Sequence, residues 1–237
     1  MNPAILSVFT LVVVFFSSSA FAIVETGSSQ QAMNDDKPAS TELMQPAIAT
    51  QLQGYGAFTN LNKDWMLMAL YTSGEQNEAA AAQRLEIKIS TEKFSTRRFR
   101  ALWLETLAIE HSAEKIASME GELEQFFNSF QGPLLKGDSL IIERIATPAG
   151  LDNEARSVIK MNYHTLATLS PDFLSMIVQS LVGSHPPTQA LKTGLTGEDS
   201  LKNQARLSTR FERLEPSLPR IVEISRWGKR VMAVNTL

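Results

Sequence analysis

Few residues in this 237-residue chain are placed to do chemistry. His111, His164 and His185 are its three histidines, and they stand far apart, without the short spacings of metal ligands. There is no cysteine, which removes thiol nucleophiles and every cysteine-based metal or haem site. Neither a G-x-S-x-G elbow nor a phosphate-binding P-loop occurs. Gly54–Tyr55–Gly56 lacks the helix that a dinucleotide fingerprint opens, so it reads as strand geometry. Arg97, Arg98 and Arg100 cluster early on a helical segment, either as a solvated face or as an anion-binding patch. These residues indicate no metal, no cofactor and no catalytic set.

The elements that carry these residues are legible from periodicity. Leu52 to Thr59 and Asp64 to Thr72 read as strands joined by a turn at Asn60 to Lys63. The second, DWMLMALYT, is apolar on both faces and suits a strand covered on both sides. Arg84 to Ser90 alternates strictly, with Leu85, Ile87 and Ile89 on one face and Glu86 and Lys88 on the other, as a half-buried antiparallel strand does. Lys93 to Glu110 reads as a helix with Phe99, Leu102, Trp103, Thr106 and Leu107 on one face. Ala113 to Phe130 reads as a second, striped by Ile116, Met119, Leu123, Phe126, Phe127 and Phe130, before Gly132–Pro133 stops it. Strands are expected at Ser139 to Ala146 and Arg156 to Met161. Ser170–Pro171–Asp172 opens a helix as cap, first residue and dipole partner, with Leu174, Ile177, Val178 and Leu181 buried. Gly183 ends it, His185–Pro186–Pro187 bends the chain, and Thr188 to Leu195 makes a short helix.

The amino terminus reads as an address. Ile5 to Phe16 is a nearly unbroken apolar run, shorter than the roughly 20 residues of a membrane span, and Ala20–Phe21–Ala22 comes after it as an A-x-A cleavage site. Residues 1–22 are therefore expected to be a signal peptide cleaved after Ala22. The mature protein would be periplasmic or secreted and would not span a membrane. Residues 23–50, rich in Ser, Gln, Asn, Asp, Ala and Pro, read as a flexible lead-in. The net charge of −3 gives no global attraction to nucleic acid. An exported chain without cysteine forms no disulfide, so packing alone must stabilise it.

Several segments resemble the bacterial chalcone isomerase-like proteins. GYGAF (Gly54 to Phe58) falls where that family has Gly-x-Gly-x-Arg, and MALYT (Met68 to Thr72) is similar to its second-strand ending. LKGDSLIIE (Leu135 to Glu143) resembles its loop-to-strand element. SPDFLSMIVQSLVGSHPPTQALKTGLTG (Ser170 to Gly197) resembles its carboxy-terminal signature. The resemblance covers residues 51–197 and implies an α+β fold: a curved antiparallel sheet with a layer of helices on one face. Runs of strands and of helices suggest the same class independently.

The resemblance also implies where chemistry would sit, and that it is missing. The family's catalytic arginine falls at Phe58 and its threonine near Met66, while Lys93 to Glu110 contains no tyrosine. A phenyl ring cannot stabilise an oxyanion as a guanidinium does. Relatives that bind fatty acids are expected to hold the carboxylate with that same arginine. What remains is an apolar cleft between sheet and helices, lined by Phe58, Met66, Phe99, Leu102 and Trp103. These side chains either fill the core or line a pocket for a small apolar or fatty-acid-like ligand. Two further functions stay open: an isomerase or lyase using other residues of the cleft, and a periplasmic partner-binding protein.

Residues 198–237 lie beyond the resemblance. Glu198 to Leu214 reads as an amphipathic helix with Leu201, Ala205, Leu207 and Phe211 among its apolar residues. Glu215–Pro216 and Leu218–Pro219 break it. Arg220 to Leu237 reads as a β-hairpin turning at Arg226 to Lys229, either extending the sheet or docking a protein partner.

Overall fold

The computed structural model describes residues 50–73, 82–145 and 155–234, with backbone alone over 228–234. The chain divides into two units, Met1–Leu43 and Met44–Leu237. The expected signal peptide and residues 23–49 of the lead-in lie outside the described residues, all of which belong to the second unit.

Six strands form one antiparallel sheet: β1 (Gln51–Asn60), β2 (Lys63–Thr72), β3 (Ala82–Ile89), β6 (Ser139–Ile145), β7 (Arg156–Met161) and β8 (His164–Leu169), in the order β1-β2-β3-β6-β7-β8. Between β3 and β6 the chain leaves the sheet. It makes β4 (Lys93–Phe94), α1 (Thr96–Glu110), α2 (Ala113–Ser118), α3 (Glu120–Asn128) and β5 (Leu134–Leu135), where β4 and β5 pair as a separate ribbon. After β8 come α4 (Pro171–Val182), α5 (Gln189–Leu195), α6 (Leu201–Glu212) and α7 (Leu218–Val234). The α+β class and the antiparallel sheet with its helical layer are as expected.

Both two-residue hairpin turns place two residues at positive φ: Leu61 and Asn62 at 49° and 60°, Asn162 and Tyr163 at 45° and 75°. This pairing matches the right-handed strand twist. Without a glycine the second turn leaves little sequence signal, and β8 has no counterpart among the expected strands. The two glycines of Gly54–Tyr55–Gly56 serve close packing. A Cβ on Gly54 would come within 2.3 Å of the Gly194 carbonyl, and one on Gly56 within 3.0 Å of the Leu191 carbonyl, so α5 lies directly on the β1 backbone.

Met66, Met68 and Leu70 of β2 face the main core with α1 and α4, while Leu67 and Ala69 face the opposite side, against Tyr55, Leu207 and Phe211. The strand is thus covered on both faces, as its sequence requires, and α6 supplies the second cover. That cover also corrects the reading of β3 as half-buried: Glu86 and Lys88 are each only 8% exposed. Lys88 Nζ donates to the Phe211 carbonyl at 3.1 Å and lies 4.5 Å from the centre of its ring. Of the apolar residues of α6, Leu207 and Phe211 are buried and Leu201 and Ala205 are exposed.

Three further elements differ from expectation. The helix expected over Ala113 to Phe130 breaks at Met119, where the Ser118 hydroxyl donates to the Lys115 carbonyl and Gly121 lies just beyond. Both features weaken a helix locally. Ser170 sits at the N-cap of α4 but its hydroxyl donates to Glu122, and the Ser157 hydroxyl accepts the Leu174 N–H in its place. Residues 235–237 lie outside the described residues, and over Arg220 to Val234 the hairpin expected for Arg220 to Leu237 is replaced by the helix α7. Its β-branched residues suggest strands, but Arg220, Ile224 and Trp227 recur at helical spacing and all are buried. Pro219, expected as a breaker, sits in the first turn, where proline is tolerated.

Candidate functional site

Phe58 and Met66, the positions where the resemblance would place arginine and threonine, are direct partners in the β1–β2 register. Both are buried, at 6% and 1% exposure. Over them lies α1, whose start is set by Ser95 accepting the Arg98 N–H. The helix turns Trp103 and Thr106 inward and leaves Leu102 half-buried. Phe58, Met66, Leu102 and Trp103 therefore meet, together with Met68, Thr106 and Leu181, around one narrow space with no volume for a water molecule. Phe99 touches this set through Trp103 and does not line the space. It packs among rings, 5.8 Å from Phe94, 6.1 Å from Trp103 and 5.4 Å from Phe130, and borders no part of that space.

Above the closed space lies an open cleft of about 270 Å³. Phe58 of β1 with Leu102 and Thr106 of α1 lie at its base, and Ile109 of α1 borders it as an exposed side chain. Its rim comes from Thr59 and Asn60 on one side, Glu105 on α1, and His185, Pro187 and Thr188 on the segment between α4 and α5. Phe58, Leu102 and Thr106 line both the cleft and the closed space beneath. Among the described residues, Glu105 and His185 are the only ionisable side chains lining the cleft.

Glu110 anchors the rim. Its side chain, 4% exposed, accepts the backbone N–H groups of Ser184 at 3.0 Å and His185 at 2.7 Å, with His185 Nδ1 at 3.5 Å. Burial pushes the Glu110 pKa up, but these two backbone bonds, the His185 charge and a bond from Gln179 outweigh it and hold the group below the ordinary carboxylate value. A depressed carboxylate pKa contributes stability above its unfolded value that is lost as pH falls through the folded one. Acidification through and below the ordinary carboxylate range is therefore expected to free the 183–187 segment. Hydrogen exchange at the Ser184 and His185 amides measured against pH checks this: protection should fall in acid. Protection factors at these two amides that stay unchanged in acid, after correction for the intrinsic pH dependence of exchange, would show that Glu110 does not hold the rim.

Sequence reasoning located the His185–Pro186–Pro187 bend but not its place against α1, because nothing local pairs Glu110 with amides 74 and 75 residues away. Of the other histidines, His111 bonds the Met176 carbonyl through Nε2 at 3.0 Å, and His164 begins β8. Among the described residues no group of three or more His, Asp or Glu side chains converges as a metal site would. Nor is any helix among them long and apolar enough to cross a membrane. The early arginines of α1 stack on aromatic faces: Arg98 lies 3.9 Å from the centre of the Trp65 ring and Arg100 5.4 Å from that of Phe127. A second groove, of about 430 Å³, runs between α1 and the α2–α3 pair, floored by Leu104, Ile116, Leu123 and Phe127.

Among the described residues no lysine or arginine lines the cleft. No protein-family model matches the chain, and no curated protein matches its sequence. Among solved structures, the chain is similar to the crystal structure of the fatty-acid binding protein of Arabidopsis thaliana, with a TM-score of 0.47 and 12% identity, over 68% of this chain and 90% of that chain.

Proposed function

We propose that this chain is an exported, non-catalytic protein of the chalcone isomerase-like kind, and that it holds a small apolar or fatty-acid-like molecule in the cleft between β1 and α1. The observation that carries this reading is the cleft itself, with Phe58, Leu102 and Thr106 at its base, Ile109 exposed at its edge, and Glu105 and His185 as its only ionisable lining side chains among the described residues. Its volume of about 270 Å³ lies near the lower limit for ligand pockets, which favours a short chain. The absence of a guanidinium or hydroxyl at Phe58 and Met66 argues against chalcone cyclisation there.

Trp103 is the reporter for a test, because it lies beneath the cleft floor and shares Phe58, Leu102 and Thr106 with it. With Trp65 and Trp227 replaced by Phe, its emission is expected to shift on titration with eight-carbon amphiphiles. Burial of eight carbons at about 0.8 kcal/mol each gives roughly 6 kcal/mol, a Kd of tens of micromolar. A silent Trp103 across alkane, alcohol and acid of several lengths would remove the ligand-binding reading.

A further inference from the structure

Trp103 carries a donor that the fold leaves unused. The side chain is 2% exposed, yet its indole Nε1–H has no hydrogen-bond partner among the described residues. Native interiors leave few such groups, because a buried donor without an acceptor loses its hydration and gains nothing in return. An ordered water often repairs the loss, but it needs room. The closed space that Trp103 lines has none. The same space is separated from the open cleft by Phe58, Leu102 and Thr106, which border both. A molecule settling in the cleft and displacing the Phe58 ring would reach the indole.

We infer that Trp103 Nε1–H is the polar anchor of the cleft, and that the ligand is a neutral single-chain molecule with a terminal oxygen, such as a fatty alcohol, entering oxygen first. The inference rests on the cleft being a ligand site. Charge selects the head group. Among the described residues no ionisable side chain lines the inner space. An ion moved into such surroundings loses far more hydration than a neutral hydroxyl, and a single indole bond cannot replace it. Thr106 adds a second feature. Its hydroxyl donates to the Leu102 carbonyl at 2.9 Å, so its own oxygen remains free to accept. An alcohol can accept from Trp103 and donate to Thr106. An alkane can do neither, and a carboxylate brings an uncompensated charge.

The test compares 1-octanol, octane and octanoate near neutral pH. In the wild-type chain with ¹⁵N-labelled tryptophan, octanol should move the Trp103 indole N–H resonance downfield, a readout that requires no variant. In Trp103→Phe, checked for folding by circular dichroism, the Kd of octanol should rise about five- to tenfold, the worth of one neutral hydrogen bond. The Kd of octane should stay within about twofold. Octanol and octane binding alike to both proteins would overturn the anchor while leaving the cleft as a ligand site. Octanoate binding more tightly than octanol would overturn the neutral head group. If none of the three binds, the ligand-site reading fails and this inference falls with it.

Discussion

Asp138→Ala is expected to destabilise the folded unit by about 3–5 kcal/mol, because it leaves a buried arginine without its buried counter-charge, with only the half-exposed Glu223 still paired to it. Asp138 has a fully buried side chain. Its carboxylate accepts the Leu135 N–H at 2.8 Å, Asn162 Nδ2 at 2.7 Å, and Arg220 through Nε at 3.0 Å and Nη2 at 2.8 Å. Arg220 is 6% exposed, donates also to the Pro133 carbonyl, and lies 5.1 Å from the centre of the Trp227 ring. Burial opposes the charge of Arg220, but its bonds to Asp138 and Glu223 outweigh that and raise its pKa further. This guanidinium stays charged, and removing Asp138 strands it together with the Asn162 amide and the Leu135 N–H. Urea denaturation of Asp138→Ala and of the double variant Asp138→Leu with Arg220→Leu provides the measurement. The double variant should lose less than the single one, since an apolar pair leaves no orphaned charge. A loss below about 1 kcal/mol in the single variant would mean that water reaches the pair.

Phe99→Ala is expected to cost about 3–5 kcal/mol, the range for deleting a buried aromatic side chain. Phe99 is fully buried. It meets Phe94 and Phe130 edge to face, with interplanar angles of 87° and 75°, and joins α1 to α3 through Phe126 at 6.3 Å. Phe126 in turn lies 5.2 Å from Phe173 on α4, so the ring cluster connects three helices and the β4–β5 ribbon. Edge-to-face rings contribute beyond their buried area. Phe99→Leu, which keeps most of the volume, should recover more than half of the loss. Chemical denaturation of both variants decides the point. If Phe99→Ala cost less than about 1 kcal/mol, the ring cluster would not be the packed centre of the helical layer.

The sequence alone determined the class of fold and most of its elements. Strict alternation in β3, the aromatic stripe of α3 and the Ser-Pro-Asp start of α4 are local patterns, and local patterns reflect the apolar face that each element must bury, though not whether the other face is covered as well. Apolar residues on both faces of β2 even demanded a second cover, though they could not say that α6 supplies it. Phe58, Met66, Leu102 and Trp103 were legible as neighbours through the family resemblance, and they do border one space. Their volume was not legible, because whether a space is filled depends on Met68 and Leu181 arriving from other elements. Only the tertiary structure showed that this space is closed, that the open cleft lies above it, and that Glu110 ties down the rim from far along the chain. It also decided α7. Read locally, Arg220 to Leu237 favours strands, but burial of Arg220, Ile224 and Trp227 against distant partners requires the 3.6-residue period of a helix. Periodicity records which side of an element is buried; what it is buried against, and how much room is left there, depends on contacts between residues far apart in the chain.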